Sequence, residues 1–215
     1  MAKFLFFFLL IIFNLQAFDH PIKSKLEHEI QTNYLTFLVS KLGDCSGDIS
    51  SCIQAKDDYM IASFRSKEIC LPYTKCGFYH CMEKEYQCEQ VGVNYFTELA
   101  FPTCSQYMKN IEDNQFSDEA VEWIYSVMVC LQKGLIEECE VKGNCNQESK
   151  KQTCDHITEF TLKFHPGCYI NSGVGVCHLP LKDKMAIWKT VNPFMTKRER
   201  EEAYKVIFSC LKPKN

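Results

Sequence analysis

CGFYHCMEKEYQC, residues 76–88, places three cysteines and a histidine within thirteen residues. A zinc site, a redox site and a disulfide-stapled helix are the three readings. Structural zinc sites usually pair two close Cys or His couples. Cys76 and Cys81 lie at the outer limit of one such couple, and no second close couple follows. No Cys-x-x-Cys occurs, so a thioredoxin-like role lacks its motif. A stapled helix remains, with Cys81 and Cys88 seven residues apart on one face and His80 off that face.

The surrounding chain sets the compartment. Met1-Ala2-Lys3 carries a positive charge, Phe4 to Phe13 are ten apolar residues, and Asn14-Leu15-Gln16-Ala17 ends on a small residue. That order is a secretory signal peptide, expected to be cut after Ala17. The apolar run is shorter than the ~20 residues a membrane span needs, and no later segment qualifies. The expected mature chain is 18–215, with 23 basic and 27 acidic residues and no basic stripe. Nucleic acid is therefore not an expected partner.

Fourteen cysteines follow the expected cleavage site: Cys45, Cys52, Cys70, Cys76, Cys81, Cys88, Cys104, Cys130, Cys139, Cys145, Cys154, Cys168, Cys177 and Cys210. An even count behind a signal peptide predicts disulfides in an oxidising compartment, outside the cell or in a bacterial periplasm. Up to seven bridges fit, and the pairing stays open at this point. No Asn-x-Ser/Thr triplet is present.

The periodicity is helical almost throughout, predicting an all-α, disulfide-rich bundle. Ser24-Lys25-Leu26-Glu27 is a capping box opening an apolar stripe from Leu26 to Leu42, and a second helix is expected from about Ile49 to Lys67. Pro102 is expected to separate a helix ending near Ala100 from one starting after Thr103. Ser117 caps a helix with Val121, Ile124, Met128, Leu131 and Leu135 on one side. A helix from Gln147 to Phe164 should stop at Pro166-Gly167. The loop Cys168–Cys177 should be pinned by its cysteines. Helices near Leu181–Thr190 and Lys197–Leu211 complete the chain, the latter behind a second capping box, Thr196 to Glu199. The polar stretch 142–151 divides an expected N-terminal unit, 18–141, from a Cys-rich subdomain, 142–215, packed on it.

Catalytic constellations are weak. Cys154-Asp155-His156 inverts the His-Asp order of secreted phospholipases A2 and has no Gly-rich calcium loop before it. No Gly-x-Ser-x-Gly elbow occurs. Glu137, Glu138 and Glu140 read as a solvated acidic helix end rather than a calcium loop. No catalytic residue, metal ligand or cofactor is assigned.

Cys76-Gly77-x3-Cys81-x-Glu83, followed by Cys88, is similar to the core motif of the stanniocalcins. Phe116, Trp123-Ile124, Met128, Cys130, Gly134 and Leu135 resemble a second segment of that family, without a gap. The resemblance runs from about Cys70 to Leu135. Gly77, Glu83, Phe116, Trp123 and Gly134 are its motif residues. It implies a secreted, non-enzymatic protein acting on an extracellular protein partner as hormone-like ligand or inhibitor, with a family role in calcium and phosphate regulation. A homodimer is compatible with it. The family's eleven cysteines include an odd one that bridges the dimer, whereas fourteen leave no odd thiol. Two other functions are expected alternatives. One is a divergent secreted hydrolase using His80, His156 or His165. The other is a saposin-like lipid binder, which requires a large apolar cavity or an exposed apolar face.

Overall fold

The computed structural model describes Cys70 and residues 76–211. The expected signal peptide 1–17, the expected helices from Ser24 and Ile49, and Cys45 and Cys52 lie outside the described residues. Six α-helices order the chain: α1 Gly77–Tyr86, α2 Phe101–Glu112, α3 Asp118–Ile136, α4 Lys150–Asn171, α5 Leu181–Val191 and α6 Lys197–Leu211. No strand occurs among the described residues, so the all-α expectation holds. α4 is the spine and packs on both α3 and α6, while α2 packs on α5.

α3 holds the centre of the core because one face and both flanks are apolar. Val121, Trp123, Ile124, Tyr125, Leu135 and Ile136 are all essentially inaccessible. Burying each such side chain stabilises by about 1.5–3 kcal/mol. Ser117 caps the helix as expected, its Oγ accepting from the Ala120 N–H at 3.3 Å. The same residue donates twice to the buried Asp183 carboxylate of α5, from N–H at 3.0 Å and from Oγ at 2.8 Å. One serine thus satisfies a helix start and a buried charge together. Asn110 of α2 donates to Thr190 of α5 at 2.8 Å, a second buried polar tie.

Twelve described cysteines form six bridges: Cys70–Cys81, Cys76–Cys104, Cys88–Cys154, Cys130–Cys168, Cys139–Cys145 and Cys177–Cys210. Two of them, Cys88–Cys154 and Cys130–Cys168, tie residues on either side of the 142–151 stretch.

Four local expectations change. Cys81 and Cys88 do not share a helix face, because α1 ends at Tyr86 and Gln87 takes a left-handed φ of 52°. Cys88 opens a 3-10 turn instead. Pro102 breaks nothing: a π-helical turn, Tyr95–Ala100, runs straight into α2, and the proline sits in the first turn, where no intrahelical N–H is needed. Pro166 lies inside α4, which continues to Asn171. The turns beyond it are held from outside. Cys168 is bridged to α3, and the Trp123 indole N–H donates to the Tyr169 carbonyl at 3.0 Å. Cys168 and Cys177 therefore do not pin a loop to itself. They anchor its two sides to α3 and α6. The turn between them needs Gly175, whose φ is 72° and where a Cβ would lie 2.4 Å from the Ile170 carbonyl oxygen.

The expected helices at Leu181 and Lys197 are present. The Thr196 box forms in both directions, the Glu199 carboxylate accepting from Thr196 N–H and Thr196 Oγ1 accepting from Glu199 N–H at 3.5 Å.

Candidate functional site

Residues 76–88 offer no free thiol. Each of Cys76, Cys81 and Cys88 is consumed in a disulfide, which removes the thiolates a zinc or redox site would use. His80 is exposed and its ring lies 3.8 Å from that of Phe101. The motif residues are structural. Gly77 starts α1 in open space. Glu83 accepts from the Glu89 N–H at 3.0 Å, closing the turn after α1. Phe116 is buried 6.0 Å from the Tyr107 ring. Trp123 is buried and ties α3 to the end of α4. At Gly134 a Cβ would stand 2.2 Å from a Phe164 ring atom, so the absent side chain lets α4 approach α3.

Among the described residues, His80 on α1 and His156 and His165 on α4 have separate partners. His156 pairs with Glu138 at 3.0 Å, and Glu138 also accepts from Asn144 at 3.0 Å. Glu138 is therefore not part of a solvated acidic end; its side chain is largely buried against the turn that follows α3. Burial raises its pKa, but hydrogen bonds from Asn144, His156 and Lys142 outweigh that and hold it below the ordinary 4.5. A shallow depression of about 410 Å³ beside His156 is lined by Val93, Asp155, Thr158, Glu159 and Arg198. It contains no serine, and the Thr158 hydroxyl is committed to the Cys154 carbonyl at 3.0 Å. The His156–Glu138 pair lies at its edge.

A larger concavity lies elsewhere among the described residues. A cavity of about 590 Å³ opens between α2, α3, α4, α5 and α6, within the size range of ligand pockets. α3 supplies Trp123, Ile124, Val127, Met128 and Leu131. α5 and α6 supply Ile187, Val191, Val206 and Ile207. Helical spacing brings these residues to one wall each, and five helices must assemble before the cavity exists.

One corner of the cavity is polar. Tyr79, Tyr95, Tyr107, Tyr169, Thr103 and His165 all line it. The Tyr95 and His165 rings lie 6.4 Å apart, and those of His165 and Tyr169 lie 6.1 Å apart. The Tyr107 and Tyr169 hydroxyls lie within reach of each other, buried beside the cavity. The Thr103 hydroxyl is buried without a partner. Burial pushes the Tyr169 hydroxyl up to about 12, so it stays protonated and can donate. Burial also lowers the His165 pKa below 6.5, against the pull of the Thr161 carbonyl that its Nδ1 meets at 2.6 Å.

The rim is apolar and open. Leu181, Met185 and Leu211 line the cavity yet are 73%, 53% and 72% exposed. Of these cavity and rim residues, Trp123, Ile124 and Met128 belong to the family-like segment of α3, and the rest carry no sequence motif. In α6 the spacing of Tyr204, Ile207, Phe208 and Leu211 beside Ala203, Val206 and Cys210 marks an apolar arc wider than one contact face. No protein-family model, no curated protein and no solved structure matches the chain.

Proposed function

We propose that this is a secreted, disulfide-stapled binding protein that carries a lipid-like ligand in the cavity between α2 and α6. The observation that carries the reading is a cavity of about 590 Å³ lined mainly by apolar side chains, with Tyr95, Tyr107, Tyr169, Thr103 and His165 among its polar lining residues. A long apolar chain ending in a hydroxyl or carboxyl matches both parts of the lining.

The disulfides support an extracellular setting, because six bridges persist only where thiols are not kept reduced. A hormone-like or inhibitory protein ligand of stanniocalcin type is the reading that the motif resemblance supports. Its motif residues act in packing and leave the recognition surface unassigned. The cavity favours the lipid-binding alternative.

The test is binding of a fluorescent long-chain fatty acid to the oxidised mature protein, with native mass spectrometry for stoichiometry. One chain per protein is expected, with affinity falling at least tenfold in Ala203→Trp, which projects bulk into the cavity from α6. Circular dichroism controls for folding. Absence of uptake by the wild type, or equal uptake by a folded Ala203→Trp variant, refutes the proposal.

A further inference from the structure

α6 is apolar over a wide arc. Ala203, Val206, Ile207 and Cys210 line the cavity, and Tyr204, Phe208 and Leu211 continue the apolar arc at i, i+4 and i+7 on an adjoining exposed side, Phe208 by 63%. An apolar arc wider than the cavity wall needs a second covering. Leu181 and Met185 of α5 are exposed too, and with Ile207 and Leu211 of α6 they line the same cavity. Contiguous exposed apolar surface of this kind marks a contact with another phase or partner.

Charge distinguishes what covers it. The chain as a whole is net −3, yet residues 181–211 hold seven basic side chains against four acidic ones. Of those acids, Asp183 is buried on Ser117, Glu199 caps its own helix and Glu202 pairs with Lys205 at 2.6 Å. Lys182 and Lys189 are exposed on α5, three residues before and four after Met185, with no ion pair among the described residues. Lys212 and Lys214 follow Leu211 in sequence. Among the described residues no helix is long and apolar enough to cross a bilayer. Apolar side chains flanked by unpaired lysines form the pattern of a helix face that lies in the headgroup region of an anionic membrane.

The geometry points to the α5–α6 rim as a docking face for an anionic lipid surface, placing the cavity mouth against the bilayer so that a lipid chain passes directly into it. This rests on the lipid-carrier reading for what enters the cavity, while the docking itself stands on the rim. Lysines near such a surface each strengthen binding on the order of fivefold at low salt.

The experiment is flotation of the full mature chain with vesicles of phosphatidylcholine alone or with 30% phosphatidylserine, beside fatty-acid uptake measured in the same samples without vesicles. The wild type is expected to float with anionic vesicles and less with neutral ones. Phe208→Glu/Leu211→Glu should lower that binding at least tenfold and leave the circular dichroism spectrum unchanged. Lys182→Glu/Lys189→Glu should lower binding to anionic vesicles alone. A wild type that floats with neither vesicle overturns the docking face, whatever else covers it. So does a wild-type dimer in sedimentation that Phe208→Glu dissociates, since a second copy then occupies the face. Uptake without flotation refutes the docking and leaves the carrier reading standing. Flotation without uptake refutes the carrier reading and leaves the docking standing.

Discussion

α3 and α6 each carry large apolar side chains, and they use them in opposite ways. Of the nineteen residues in α3, twelve are buried; of the fifteen in α6, Val206 alone is. α3 is enclosed by α2, α4 and the turns around them. α6 rests on α4 with one edge and leaves a second apolar stripe outside. Apolar content alone does not separate structure from function here. What separates them is whether the fold supplies a neighbour for each apolar face.

The sharpest break of the comparison uses one aromatic from each helix. Trp123→Ala removes a buried indole and its hydrogen bond to Tyr169, and should cost about 3–5 kcal/mol. Phe208→Ala removes an exposed ring of similar character and should stay within about 0.5 kcal/mol. Urea denaturation of both variants measures the gap. A cost above about 2 kcal/mol at Phe208 means that α6 is covered within the fold and the comparison collapses.

The bridges give the second contrast. Cys130–Cys168 and Cys177–Cys210 close loops of 38 and 33 residues. Chain entropy alone assigns each about 4 kcal/mol. Cys168 is buried against α3, whereas Cys210 lines the cavity. The double serine variants should therefore lose similar stability under denaturant but differ in binding. Loss of Cys177–Cys210 should weaken fatty-acid uptake more than loss of Cys130–Cys168, because it frees the α6 wall. Equal effects on uptake would show that the cavity depends on the core as a whole.

Legibility in the sequence follows the same division. The helices α3 and α6 were readable because their caps are local: Ser117 and the Thr196–Glu199 box act within four residues. Disulfides as a class were readable from count and compartment, but partners such as Cys88 and Cys154 are 66 residues apart and meet only in the fold. Pro166 misled because tertiary ties at Cys168 and Trp123 carry α4 past a residue that is locally a stop. Glu138 misled because its partner His156 arrives from the next helix. The cavity was not legible at all, since no two of its five walls are neighbours by periodicity. Its rim was half legible, as an α6 pattern with more apolar positions than one face can hold.

Gly134 sharpens the α3 side at smaller scale. Alanine there should gain about 1 kcal/mol of helix propensity. Its Cβ, however, would enter the Phe164 ring at 2.2 Å, and overpacking costs about 1–3 kcal/mol. The net change in the wild type should be destabilising by up to about 2 kcal/mol. In a Phe164→Leu background the contact is relieved and the same substitution should become neutral or stabilising. A double-mutant cycle reads the coupling directly; additive effects would mean that α4 shifts freely and is not seated against α3.

The smallest effect is electrostatic and compares the two ends of this packing. Glu138, in the turn after α3, has its pKa lowered from 4.5 by the net action of its hydrogen bonds, and His165, at the cavity, has its pKa lowered from 6.5 by burial. In both cases the unfolded chain binds the proton first, so each contributes stability that is complete above the unfolded value and is lost as pH falls through the folded one. The His165 loss begins below about 6.5 and the Glu138 loss below about 4.5. Stability measured by urea across pH 7 to 4 should decline in that order. His165→Gln should remove the first decline and leave the second, while Glu138→Gln should do the reverse. A fatty acid whose carboxylate reaches the polar corner favours the charged imidazole and offsets the effect of burial, so saturating ligand should flatten the first decline alone. An unchanged first decline in the presence of bound ligand would place the chain away from His165, and with it away from the polar corner.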